Sequence, residues 1–212
     1  MTFTPPITEQ RFVLDHIVGL ADLASTERFA AAEPDMVDAI LEGAAALAAG
    51  EWAPLNRIGD QQGAVWTDGT VTLPPGFAEA YRAFVDGGWS TLTVPVEMGG
   101  QGLPTALGFA VSESLGAANM ALNLCPMLGI GAIEALASHG SPELQAAYLP
   151  RLVTGEWTGT MNLTEPQAGS DVGTLRSTAT PVGDGSWHVK GTKIFITFGE
   201  HDLAGNIIHL VL

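Results

Sequence analysis

Through the first three-quarters of the chain, apolar residues return every three or four positions, the spacing that lines one face of an α-helix. Val13, Ile17, Leu20 and Ala24 predict a first helix from Thr8 to Ala24. Val37, Ile40, Leu41, Ala44, Leu47 and Ala48 predict a second, opening at Glu33-Pro34-Asp35 and running out near Gly50, with Pro54 opposing a simple continuation. A turn-rich bridge follows from Asn56 to Pro75, with Asp68-Gly69 as a turn signal. Phe77, Tyr81, Phe84 and Val85 form the stripe of a short helix that Gly87-Gly88 ends. The Val94–Pro104 loop is too rich in proline and glycine for helix or central strand. Leu107, Val111 and Leu115 mark another helix, and Met120 to Ser138 reads as a strongly apolar, buried one. Ser141-Pro142-Glu143 is a helix start: a serine cap, proline at the first helical position and an acid in the first turn. That helix turns Leu144 and Tyr148 inward and closes around Gly155.

From Trp157 the texture changes. Thr158, Thr160 and the run from Arg176 to Pro181 favour strand. Ser186–Lys190 and Lys193–Thr197 flank Gly191-Thr192 and read as paired strands, with Gly183-Asp184-Gly185 as a hairpin turn before them. Asn206 to Leu212 is a last apolar strand reaching the chain end, where a sheet would be left with an open apolar edge. The predicted fold class is α+β: an all-α helical domain over residues 1–156, then the start of an antiparallel β-barrel domain over 157–212, cut short.

Composition narrows the function classes. Hydrophobic residues make up 46% of the 212 and charged residues 15%, ample for a buried core. A net charge of −15 argues against nucleic acid or an anionic membrane surface as partner. The single cysteine, Cys125, excludes an internal disulfide and sits in an apolar run as a small core residue. The start lacks the basic and apolar blocks of a secretory signal, and no run of 18 apolar residues is evident, so a cytoplasmic protein without a membrane span is expected. His16, His139, His188, His201 and His209 show no metal-ligand spacing, so no metal site is expected. Gly99-Gly100-Gln101-Gly102 has neither the lysine nor the glycine spacing of a phosphate-binding loop.

The chemistry concentrates in Met161-Asn162-Leu163-Thr164-Glu165-Pro166-Gln167-Ala168-Gly169-Ser170-Asp171. A glycine-small-polar loop brings backbone N–H groups close to anionic oxygens; Gly169 permits the approach and Ser170 adds a hydroxyl. Thr164 to Asp171 resemble the flavin-binding signature of the acyl-CoA dehydrogenase family, T-E-P-x-A-G-S-D. Tyr148 to Glu156 is similar to the family's approach to that motif, and Gly191 to Thr197 to its second flavin-contacting strand. The resemblance covers about Phe77 to Leu212. The long amino-terminal extension and Gly199-Glu200-His201-Asp202 resemble the subgroup that includes methylthiopropionyl-CoA dehydrogenases.

That resemblance implies an FAD enzyme oxidising an acyl-CoA to a trans-2-enoyl-CoA, with acyl-CoA oxidase, a split-enzyme subunit and a non-catalytic relic as alternatives. It implies a flavin site built from Met161, Leu163, Thr164, Gly169, Ser170, Phe195, Ile196 and Thr197. Thr164 would lie at the isoalloxazine, Thr197 near N5, Phe195 against the ring, and Ser170 at the pyrophosphate or the acyl-CoA. Glu165 and Asp171 are expected to hold the loop in shape rather than to act as acid and base. His201 alone among the histidines stands near the flavin face, with a surface position expected. The family's base is a glutamate on a carboxyl-terminal helical bundle, so no catalytic residue is expected here. Electron-transfer flavoprotein as acceptor and a homo-oligomer of the full-length protein follow from the same resemblance.

Overall fold

A computed structural model describes residues 3–212. Eight helices come first: α1 (Ile7–Val13), α2 (Leu20–Ala24), α3 (Pro34–Leu47), α4 (Ala53–Gln62), α5 (Phe77–Asp86), α6 (Thr105–Ala118), α7 (Met120–His139) and α8 (Pro142–Val153). Between α4 and α5 lies a hairpin of β1 (Val65–Thr67) and β2 (Thr70–Thr72), turned by Asp68-Gly69 as expected. After α8 come β3 (Thr158–Asn162), β4 (Thr178–Pro181), β5 (Trp187–Lys190) and β6 (Ile207–Val211). The helix-then-sheet order of the α+β expectation holds.

Several expectations change in detail. The segment from Thr8 to Ala24 is not one helix. A π-helical turn over Leu14–Val18 and a left-handed Gly19 (φ 71°) separate α1 from α2. The extra residue in that turn rotates the buried face, so Gln10, Leu14 and Leu20 point inward while Val13 and Ile17 are exposed. The second predicted helix does not stop near Gly50. A π-helical turn over Ala48–Trp52 carries the chain into α4, and Pro54 falls in that helix's first turn, where its missing N–H is no loss. The bridge therefore starts with helix rather than turn at Asn56.

The main core joins α3, α5, α6 and α7 through Leu41, Trp52, Phe84, Leu107, Leu115 and Leu122, with Cys125 fully buried among them as expected. Gln10 is a buried polar exception, and its amide donates to Ala110 O and Ser114 Oγ, both at 3.0 Å. A second cluster of Val94, Ile133, Leu136, Leu149, Leu152 and Val153 seats α7 on α8 and reaches Ile208 of β6. Ser141 caps α8 by accepting from Leu144 N at 3.4 Å. Leu144 itself is exposed rather than inward, while Leu149, Leu152 and Val153 take the inner face. At its end Gly155 (φ 78°) is required twice over: its backbone is left-handed, and a Cβ there would meet Val85 Cγ2 at 2.7 Å.

Helix α7 departs from both readings made of it. It packs on α6, α8 and β3. Yet Met120, Met127 and Ile130 on its opposite side are exposed, so it is buried on one face only. With 20 residues it is long and apolar enough, by length and composition alone, to cross a membrane, contrary to the expectation of no such stretch.

Strand pairing also differs. β3 and β6 pair in parallel, Thr158 opposite Ile207 through Asn162 opposite Val211, where antiparallel pairing was expected. The last strand is thus partnered. The hairpin joins β4 to β5 across Gly183-Asp184-Gly185, with Thr178 opposite Lys190. Lys193–Thr197 is not a strand: Phe195 (φ 57°) and Phe198 (φ 51°) interrupt extended backbone.

Candidate functional site

β3 leaves the helical body and runs straight into the loop of greatest chemical interest. Glu165 N donates to Ala168 O at 2.9 Å and Ala168 N returns the bond to Glu165 O at 3.0 Å, closing a tight turn through Pro166-Gln167. Ala168 is fully buried, and a larger residue would open that turn.

The Glu165 carboxylate is the hub around which the loop forms. Its side chain is 3% exposed. It accepts from Ser177 Oγ (2.6 Å) and N (3.0 Å), from Arg176 N (2.8 Å), from Lys193 Nζ (2.9 Å) and from Gln167 Nε2. The Ser177 hydroxyl, then Lys193 and the Arg176 amide, hold its pKa well below the usual carboxylate range. A carboxylate so engaged is a permanent anion and a brace, not a proton acceptor. Asp171 has the same kind of task, accepting from Gly173 N at 3.1 Å to cap a short 3₁₀ turn over Val172–Thr174. Both acids thus shape the loop, as the sequence led one to expect.

Lys193 carries the connection to the second segment. Its ammonium also donates to Leu163 O at 3.0 Å, and the following Ile194 N donates to Thr164 O at 2.9 Å. Residues 161–171 and 193–197 are therefore side by side, although the second segment is irregular. Met161 and Phe195 are exposed, Phe195 to 89%; Leu163, Thr164 and Ile196 are half-buried; Gly169, Ser170 and Thr197 are exposed. A Cβ at Gly169 would meet nothing within 4 Å, so backbone there is open to close approach. The hydroxyls of Thr164, Ser170 and Thr197 make no hydrogen bond to the described residues. The patch thus offers an apolar face beside uncommitted donors, which fits a planar aromatic ligand with polar edges.

His201 is not at the surface. It is 5% exposed, and its ring joins Thr158 Oγ1 at 3.0 Å. Asp202 beside it accepts from Leu73 N at 3.1 Å, tying this loop to the chain after β2. Sequence reasoning missed Ser177 and the bracing role of Lys193, because partners so far apart along the chain leave no local signal. It also missed a cavity of about 420 Å³ between α5, α6, α7 and the start of β3. Among the described residues no cluster of His, Cys, Asp and Glu could hold a metal ion.

The amino-terminal-domain family model of acyl-CoA dehydrogenases matches residues 35–156. The chain belongs to the acyl-CoA dehydrogenase family. It is 47% identical, over its whole length, to 3-methylmercaptopropionyl-CoA dehydrogenase of Ruegeria pomeroyi, of which it covers 36%. Butyryl-CoA dehydrogenase from Megasphaera elsdenii has the same fold: TM-score 0.69 over 84% of this chain and 44% of that one, at 22% identity. A structure of PigA with FAD and proline superposes with TM-score 0.62 at 26% identity, covering 78% of this chain and 41% of PigA. The chain spans about a third of the length of the curated relatives it matches. Homologues of this family are flavoprotein oxidoreductases.

Proposed function

We propose that this chain supplies the helical and flavin-facing segments of an enzyme that oxidises an acyl-CoA to a trans-2-enoyl-CoA. Residues 1–156 act as the helical unit and 157–212 as the unit that holds FAD. The observation carrying this reading is the Ile194 N–H to Thr164 O bond, which sets residues 161–171 and 193–197 on one open patch. FAD, when bound, supplies the hydride acceptor. The chain's own residues bind and orient. Thr164 and Thr197 donate to the polar edge of the isoalloxazine, Phe195 lies on its face, and Met161, Leu163 and Ile196 complete the apolar wall. Gly169 and Ser170 present backbone and hydroxyl donors to phosphate oxygens of FAD or the acyl-CoA. Such donors, set before reaction, favour negative charge developing on the ring. No residue of this chain is assigned as the base, since Glu165 is committed to five donors. Electrons pass onward to electron-transfer flavoprotein, and the working enzyme is a homo-oligomer.

The visible absorption spectrum of the purified protein tests this reading. A flavin band near one equivalent per chain, lost in Thr197→Val, is expected. A colourless protein that takes up no added FAD overturns the proposal.

A further inference from the structure

Flavin binding leaves the Gly199-Glu200-His201-Asp202 run without a task, yet this run follows closely on Thr197. Ile196 O accepts from Gly199 N at 3.2 Å, closing a turn with Thr197 and Phe198 at its centre. Phe198 is left-handed there (φ 51°), in a position that turns usually give to glycine or asparagine. A side chain as large as phenylalanine stays in that conformation where its surroundings hold it. Two contacts do so. The Phe198 ring packs, with Leu203 and Ala204, against the main core, and it meets the His201 ring edge-on at 5.5 Å and 73°.

His201 in turn is fixed at both ring nitrogens. Leu203 N–H donates to Nδ1 at 3.1 Å, so the neutral ring carries its proton on Nε2. Burial lowers the pKa of this imidazole, with Glu200 and Asp202 opposing, and keeps it neutral. Nε2–H is therefore the donor in the 3.0 Å bond to Thr158 Oγ1. Thr158 is 3% exposed and opens β3, the strand that leads into Leu163 and Thr164. The two flavin-facing segments are thus joined twice. Lys193 and Ile194 bind the start of the second segment to Leu163 O and Thr164 O. Its far end, beyond Thr197, reaches back to β3 through Phe198, His201 and Thr158.

Resting on the flavin reading above, we propose that His201 is a positioning residue for the flavin: its ring edge and its bond to Thr158 set Thr197 against the Thr164 segment. Both parts are needed. His201→Gln keeps a donor but loses the ring against Phe198. His201→Phe keeps a ring but leaves the Thr158 hydroxyl without that donor.

The test is fluorescence titration of the purified, flavin-free chain with FAD. His201→Gln and His201→Phe are each expected to weaken binding roughly three- to tenfold, the ratio one lost hydrogen bond gives. Thr158→Val gives the same loss, whereas Thr158→Ser, which retains the acceptor, binds as the parent does. In a Thr197→Val background none of these substitutions weakens binding further, because residues that act through one contact are not additive. A role in the fold alone would multiply with Thr197→Val instead. Should His201→Phe fail to fold, Phe198→Leu takes its place, removing the ring edge while keeping apolar bulk. Parent affinity in either His201 variant, equal losses in Thr158→Ser and Thr158→Val, or a loss that persists in the Thr197→Val background, overturns the inference and leaves flavin binding intact. Failure of the parent chain to bind FAD overturns both.

Discussion

The helical region and the strand region are held together by different physics. From α3 to α7 the chain buries large apolar side chains against each other, with Trp52, Leu107 and Leu122 fully enclosed. After Gly155 the balance reverses: Trp187 and Val189 of β5 are exposed, as is all of β4. What orders this second region is a buried carboxylate, a buried imidazole and the bonds they gather. Apolar burial is non-directional and tolerates neighbours of roughly the right size. A polar hub demands particular donors at particular places, which suits a surface that must present several hydroxyls in a set arrangement.

The largest expected effect lies in the first region. Trp52 touches no water and its ring sits near Phe84 (centroids 5.9 Å apart). Trp52→Ala is expected to lower unfolding free energy by about 3–5 kcal/mol, measured by urea denaturation. Among the described residues its Nε1 has no hydrogen-bond partner, so Trp52→Phe removes a buried unpaired donor along with some volume and falls well short of that loss. Equal losses in the two variants would mean that Nε1 has a partner after all.

Much of the first region was legible because burial leaves a period in the sequence, as Leu107, Val111 and Leu115 show. The π-helical turns escaped notice. One inserted residue rotates a face without changing composition, so Val13 and Ile17 read as core although they face water. The motif from Thr164 to Asp171 was legible as chemistry, and the bracing role of its acids followed from it. The parallel β3–β6 pair and the irregular Lys193–Thr197 segment were not, because alternation marks a strand but says nothing of its partner's direction. His201 was misjudged for a related reason: acids on both sides suggest a surface, while its partner Thr158 lies 43 positions away.

Titration separates the two regions. In the strand region the shifted groups fail on acidification. His201 has a folded pKa below its ordinary 6.5, so its contribution is complete above that value and fades as pH falls below it. Glu165 has a folded pKa below its ordinary 4.5, so its contribution is complete above 4.5 and is lost on further acidification. In the helical region burial acts the other way: the Cys125 thiol is pushed up from 9.0 to about 12, and the Tyr81 phenol rises from 10.0. Their contributions are complete below those ordinary values and fade as pH rises past them. Amide hydrogen exchange, corrected for its intrinsic pH dependence, should show Leu203 loosening first on acidification, then Arg176 and Ser177, with α6 and α7 still protected. On alkalinisation the helical amides around Cys125 should respond instead. Simultaneous loss of protection in both regions at either extreme would show that they open as one unit.

The smallest effect on stability is also the sharpest test of what the second region is for. Phe195 is 89% exposed, so removing its ring deletes almost no packing. Exposed substitutions of this kind change stability by no more than about 0.5 kcal/mol. Its backbone is left-handed (φ 57°), a conformation asparagine accepts more readily than phenylalanine. Phe195→Asn is therefore expected to leave the urea midpoint unchanged or slightly raised. If the ring stacks on an isoalloxazine, the same substitution weakens flavin binding, on the order of tenfold for the loss of one well-placed aromatic contact and its buried area. Flavin fluorescence titration against the urea midpoint separates the two quantities. Unchanged flavin affinity would remove Phe195 from the site; a large loss of stability would show that the ring packs in solution. Unchanged stability with weakened binding is the outcome expected of an exposed side chain that serves a ligand rather than the fold.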